Sequence, residues 1–333
     1  MSESSQPAAS AAPHYGPPNA ALRPRYSGIR TFARCPHNED WENADVAVLG
    51  APFDTATSYR TGARFGPAAI RDQSQLIRPW HAELGIDVFA QLSVIDGGDL
   101  DVTPGNAERT AGQIAAGLEP VIAAGAVPLL LGGDHSLLLG ELRAQARAHG
   151  PVGLVLLDAH ADTWDAYYGE RYFHGTPIRR AHEEGLIDPR RSLLAGMRGP
   201  LYAESDLGEP RGWGFEIITG QELRGLSTEE YSARVRSRAG DGPVFLSFDI
   251  DVLDPAFAPA TGTPEIMGLE PRRAVDLIRS LAGLRWTGFD LVEVSPGYDG
   301  PGQVTALHAA SIAYEMLAVL ALGKRADGAA QGA

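Results

Sequence analysis

The chain has 333 residues, 44% of them apolar, and a formal net charge of −14 from 42 acidic and 28 basic side chains. Such acidity argues against nucleic acid or an anionic membrane as a partner and favours a small cationic ligand. The single cysteine, Cys35, excludes an internal disulfide and a thiolate metal cage.

Residues 1–23 are rich in Ser, Ala and Pro without hydrophobic periodicity and read as a disordered arm, as does the tail over 323–333. The arm carries no basic segment followed by an apolar one, so no secretory signal is expected. No apolar run approaches the ~20 residues that a membrane span requires. A cytoplasmic protein is the expectation. Between the two tails no linker or repeat intervenes, so residues 24–322 are expected to form one catalytic domain.

Strand-like apolar runs recur at 46–49, 92–95, 127–131, 152–157, 192–194, 215–218, 244–248 and 287–294. Pro67 suits a helix start, with 68–71 as its first turn, and Gly62 and Gly66 permit tight turns before it. Apolar residues at three-to-four spacing predict helices over 107–124, 137–148, 270–282 and 305–322. This alternation implies an α/β fold, a three-layer α/β/α arrangement around a mainly parallel sheet.

Three polar clusters each follow one of the buried strands. They are Asp134-His135-Ser136, then Asp158-Ala159-His160-Ala161-Asp162, and finally Asp249-Ile250-Asp251. Taken singly, each has an ordinary explanation. Asp-x-His-x-Asp is often a polar turn, acidic residues end many strands, and His135 with Ser136 as N-cap can open a helix. Taken together, at the carboxyl ends of strands where open α/β sheets bind ligands, they converge on one cleft. Two His and four Asp suit a pair of Mn(II)-like ions.

These motifs resemble the ureohydrolase family of arginases, agmatinases and related amidinohydrolases. The likeness extends from about residue 32 to about 320. It includes Gly50-Ala51-Pro52-Phe53-Asp54, the stretch from Arg60 to Arg71, His174-Gly175-Thr176-Pro177, Thr261-Gly262-Thr263-Pro264-Glu265 and Glu293-Val294-Ser295-Pro296. The resemblance implies an arginase-like fold holding two manganese ions, with nickel or cobalt able to occupy similar ligands. One ion would take His135, Asp158, Asp162 and Asp249. The other would take His160, Asp158, Asp249 and Asp251, so that Asp158 and Asp249 bridge. It further implies a homotrimer or homohexamer. Arg198 and the Arg60–Arg71 stretch read as structural. Ala56 and Thr61 stand where the family usually has Gly and Pro.

The chemistry gives these residue types a reason. A guanidinium carbon is a poor electrophile, because three nitrogens donate electron density into it. Metal coordination lowers the pKa of water toward ~7 and supplies the nucleophile, which Asp162 would orient. His174 matches the family's proton-shuttling histidine. Glu265 would grip the planar guanidinium through paired charge-assisted hydrogen bonds. The family commonly continues after this glutamate with a Pro or similar residue and then Gly-Gly, whereas here Ile266-Met267-Gly268 follows, so Met267, where a glycine is usual, is expected to reshape the pocket.

The loop from Thr163 to Phe173 carries Trp164, Tyr167, Tyr168 and Tyr172 and lacks the polar set with which arginases hold an amino acid. Aromatic rings suit a methylene linker and an ammonium, and Asp165 or Glu170 could pair with that ammonium. Agmatine, giving putrescine and urea, is therefore the expected substrate. 4-Guanidinobutyrate is the alternative, with Arg171 as its anchor. Two other classes are a mononuclear zinc deacetylase-like hydrolase and a non-catalytic subunit. His135 and Asp251, as ligands for a second ion, speak against the first. The complete set of six ligands with His174 and Glu265 speaks against the second.

Overall fold

The computed structural model describes residues 13–331, with side chains described as far as residue 326. Eight strands form the central sheet: β1 (Val46–Ala51), β2 (Val94–Asp99), β3 (Val127–Gly132), β4 (Gly153–Leu157), β5 (Leu193–Met197), β6 (Glu216–Thr219), β7 (Val244–Asp249) and β8 (Trp286–Val292). Every pairing in this sheet is parallel, in the order β2-β1-β3-β8-β7-β4-β5-β6. All eight runs read from the sequence are strands. A short antiparallel pair, Trp80–His81 with Ile86–Asp87, stands apart from it.

Strands buried on both faces must be apolar throughout, and alternate residues feed two different cores. Leu131, Leu157, Phe248 and Leu291 pack on one face. They meet α1 (Gly66–Ser74), α6 (Thr228–Ala239), α7 (Pro271–Arg279) and α8 (Val304–Gln331). On the other face Leu130, Leu154, Leu156 and Phe245 lie with α2 (Ala107–Ala123), α3 (Leu138–His149) and α4 (Pro177–Glu183). The result is the expected α/β/α sandwich. A further helix, α5 (Ser205–Trp213), contains Gly208, Pro210 and Gly212 and gave no helical signal in the sequence. Helix α6 did carry one: Ser227 and Glu230 form a reciprocal capping box.

Three readings of the sequence change. Over Val304–Ala326, α8 is long and apolar enough to cross a membrane by composition, with 67% of its apolar window buried inside the protein, so it is a core helix. The same helix continues past residue 322 to Gln331 instead of ending in an irregular tail. The N-terminal arm is anchored in part: Tyr15 accepts a backbone hydrogen bond from Val94 at 2.9 Å and its hydroxyl donates to Asp40 at 2.6 Å. Residues 1–12 of that arm lie outside the described residues.

The stretch from Arg60 to Arg71 is structural, as expected. Gly66 admits no side chain, because a Cβ there would lie 2.7 Å from the Val294 carbonyl and 2.8 Å from that of Gly132. Arg71 on α1 forms a bidentate pair with buried Asp96 at 2.9 and 3.0 Å, and the Phe32 amide donates to the same carboxylate. Replacing the cation strands a buried carboxylate. Arg71→Met is therefore expected to lower unfolding free energy by about 3–5 kcal/mol in a urea titration. A loss below about 1 kcal/mol would show that the pair contributes nothing net.

Candidate metal centre

The register of the four central strands brings the ligands together. Leu131 of β3 is level with Leu291 of β8, Leu291 with Phe248 of β7, and Phe248 with Leu157 of β4. The residues that follow, Asp249 and Asp158, therefore emerge side by side at the carboxyl edge. His135 stands three residues beyond β3 in a 3-10 turn whose N-cap is Asp134, not the expected Ser136. His135 Nδ1 lies 3.1 Å from Asp158, 2.9 Å from Asp162 and 3.4 Å from Asp249. His160 Nδ1 lies 3.0 Å from Asp251 and 3.6 Å from Asp158. Five of the six expected ligands fall into two sets that share Asp158, and the sixth, Asp249, approaches His135 beside them.

These atoms fit cations and little else. His135 Nδ1, Asp158 Oδ2 and Asp251 Oδ2 are buried without any hydrogen-bond partner. One oxygen each of Asp158, Asp249 and Asp251 is fixed by a backbone donor. His160 N donates to Asp158 Oδ1, Asp251 N to Asp249 Oδ1, and Ala159 N to Asp251 Oδ1. Four carboxylates beside two neutral imidazoles carry four negative charges, which two divalent cations balance. Without that balance burial, followed by repulsion from Asp251 and Asp158, holds Asp249 well above the usual carboxylate range. Burial and the charge of Asp158 likewise push Asp162 up to about 6. Burial opposes charging of His135, yet the close carboxylates of Asp158, Asp162 and Asp249 hold it well above the usual histidine range. Protons are thus recruited where cations would otherwise stand.

A second tier orients the ligands. His135 Nε2 meets Ser247 Oγ at 2.9 Å, and that hydroxyl donates to Asp290 Oδ1 at 2.8 Å. Beside the centre, His174 Nδ1 lies 3.0 Å from Glu293 Oε1, the oxygen that also accepts from His135 N. His174 Nε2 accepts from the Ser58 amide at 3.0 Å and faces the Ser58 hydroxyl at 2.7 Å. Burial alone would lower the basicity of His174, but Glu293, Asp162 and Asp134 outweigh it and hold the group above the ordinary histidine range.

The arginase family model matches residues 44–318. The chain is 44% identical to a mitochondrial agmatinase of Gallus gallus, over 91% of this chain and 89% of that one. It is 45% identical to a guanidinobutyrase of Pseudomonas aeruginosa, over 89% and 94%. The solved proclavaminate amidinohydrolase of Streptomyces clavuligerus superposes with a TM-score of 0.85 at 43% identity, over 90% of this chain and 99% of that one. The chain belongs to the arginase family. It is a hydrolase of carbon–nitrogen bonds in guanidino compounds.

As in any enzyme of this class, the metal cluster must open onto a cavity. Here two cavities share His160, Asp162 and Trp164. The inner one, about 340 Å3, also reaches Ser58, His174, Asp249 and Thr263. The outer one, about 640 Å3, is lined by Trp164, Glu265 and Met267. Glu265 therefore faces the outer space, close against Gly199, and is not among the residues of the inner one. Asp165 departs from expectation: it pairs with Arg180 at 2.6 Å and lines neither cavity. Arg171 likewise pairs with Glu183 at 2.7 Å, outside both. Arg198 is structural, as expected, donating to the carbonyls of Asp251 and Glu265 at 2.6 and 2.8 Å.

Sequence reasoning left Glu293, Ser58 and Asp290 without roles. Glu293 stood in a recognised motif. Asp290 carried a usable signal, an acid in the middle of the apolar run over β8. Ser58 carried none. Because bound cations stabilise only the folded centre, protein stripped with a chelator should melt lower. Readdition of Mn2+ at 100 times its dissociation constant should restore about 2.7 kcal/mol. Asp158→Asn should lose most of that response in the same melts.

Proposed function

We propose that this amidinohydrolase acts on agmatine in preference to 4-guanidinobutyrate and arginine, releasing urea and putrescine, and uses two manganese ions. The donor set of carboxylates and imidazoles suits manganese, with nickel or cobalt as substitutes. His135, Asp158, Asp162 and Asp249 would hold one ion; His160, Asp158, Asp249 and Asp251 would hold the other. When bound, such a pair lowers the pKa of water toward ~7 and supplies a nucleophile able to attack a guanidinium carbon.

The chain's own residues do the rest. The observation that carries the reading is His174 held by Glu293 at the wall of the cavity that His160, Asp162 and Asp249 line. Glu293 Oε2 is buried without a partner, which makes it, ahead of Glu265, our candidate acceptor for the guanidinium. Asp162, on the same wall, orients the attacking water. His174 delivers a proton to the leaving nitrogen, a task worth about 10²–10⁴-fold in rate. Its Nε2 meets the Ser58 hydroxyl, so the protonated histidine gives its Nε2 proton to that oxygen, which passes its own proton to the leaving nitrogen.

Glu265, on the outer wall and with no side-chain ion pair among the described residues, is suited to an ammonium at the far end of the substrate, which supports agmatine. The second reading rests on Arg224, also on that wall, whose guanidinium donates to the Met267 carbonyl at 2.8 Å. That cation would receive the carboxylate of guanidinobutyrate, in place of Arg171. A cytoplasmic homotrimer or homohexamer is our proposal for the working form, without nucleic acid or membrane partners.

Two variants divide the roles. Glu293→Gln should lower kcat for agmatine and for methylguanidine alike. Glu265→Gln should lower kcat/KM for agmatine by an amount corresponding to about 1.5–3 kcal/mol, the value of a hydrogen bond to a charged group, and should act mainly through KM. Equal losses on methylguanidine in both variants would return Glu265 to the guanidinium. In wild-type enzyme agmatine should exceed guanidinobutyrate by roughly two orders of magnitude in kcat/KM, because like charges would meet in a poorly solvated pocket. The reverse order would make Arg224 the anchor.

A further inference from the structure

The outer cavity offers more room and more apolar wall than the substrate tail just assigned to it fills. Agmatine beyond its guanidine is four methylenes and an ammonium. A space of about 640 Å3 lies in the range that encloses a drug-sized ligand. Its wall includes Trp164, Met197, Leu201, Leu207, Ile266 and Met267. Most of its charged groups are already engaged: Arg198 donates to backbone carbonyls, and Asp206 accepts from the Tyr202 amide at 2.9 Å. Trp164 meets Tyr167 and Tyr202 edge-on, with ring centroids 5.4 and 5.8 Å away, and presents an aromatic wall to the cavity.

Met267 stands at the rim with φ of 64°, in the left-handed region that favours glycine. Its neighbours hold it there. Asp254 accepts from the Gly268 amide at 3.0 Å, and Arg224 donates to the Met267 carbonyl. Despite this cost, Met267 remains 60% exposed and lies outside the apolar cores. A strained, exposed, apolar residue at a cavity mouth has its use in the ligand.

We propose that the outer cavity receives a bulky, largely apolar distal group, a ring joined to the guanidine by a short methylene linker, lodged between Trp164 and Met267. Met267 is the residue that sets this preference. The proposal rests on the amidinohydrolase reading of the inner cavity and extends the substrate class beyond linear guanidines.

The test measures urea release by the manganese-loaded enzyme from butylguanidine, 4-phenylbutylguanidine and agmatine, together with thermal melts of each variant. Wild-type enzyme should favour the phenyl compound over butylguanidine by at least tenfold in kcat/KM. Met267→Gly should cut that ratio at least fivefold and melt at or above the wild-type temperature, because it relieves the backbone strain. Met267→Ala keeps the backbone constraint and should also lose the ratio, without the gain in melting temperature. A wild-type ratio near one, or a ratio that both variants preserve, overturns the proposal while agmatine turnover leaves the amidinohydrolase reading intact. No urea from any of the three overturns both.

Discussion

Four carboxylates are held at one point at the carboxyl edge of the sheet: Asp158, Asp162, Asp249 and Asp251, each no more than 6% exposed. Gathering that much negative charge away from water is the constraint around which the structure is arranged, since isolated buried ions cost several kcal/mol each. Two neutral imidazoles cannot offset it. The folded centre needs cations, or protons in their place, and its surroundings are built to orient ligands. Backbone amides fix one oxygen of Asp158, Asp249 and Asp251, leaving the other free to point inward. Ser247 and Asp290 fix the far side of the His135 ring.

Strand order follows from the same requirement. β7 and β8 come last in the chain, yet they insert between β3 and β4. The third cluster is thereby brought between the first two, and its neighbour β8 delivers Glu293 from the next strand end. Asp162 and Glu293 have φ values of 49° and 65°. Each such residue costs of order 1–3 kcal/mol and persists where the surroundings over-determine it. In both cases the strained residue aims a carboxylate at the centre, Asp162 toward His135 and Glu293 toward His174.

The proposed function assigns chemistry and selectivity to different spaces. In that reading the inner cavity presents His160, Asp162, His174 and Asp249 to the guanidine, and the rest of the substrate extends beyond Trp164. The outer wall is assembled from three separate loops, through Trp164, Leu201 and Met267. Relatives of 43–45% identity bear names that refer to different guanidino compounds. A divided site accounts for that: loops can vary the wall without disturbing the strand ends that hold the ligands.

The sequence by itself determined the layered fold and the gathering of its three polar clusters at the carboxyl edge of the sheet. Buried parallel strands must be apolar over their whole length, so a His or Asp directly after such a run stands out. The strand end then fixes where it must lie. Asp165 and Arg171 could not be placed this way. They sit in an aromatic loop without periodicity, and only the packed structure shows Arg180 and Glu183 drawing them away from the cavities. Glu293, Ser58 and His174 come from residues 58, 174 and 293, and their linkage depends on hydrogen bonds of 2.7–3.0 Å that no local pattern encodes. The depth of Glu265 and the strain at Met267 were likewise settled only by tertiary structure. A side chain's chemical type is local, but the partner that satisfies or diverts its charge is set by which distant segments the fold brings within reach.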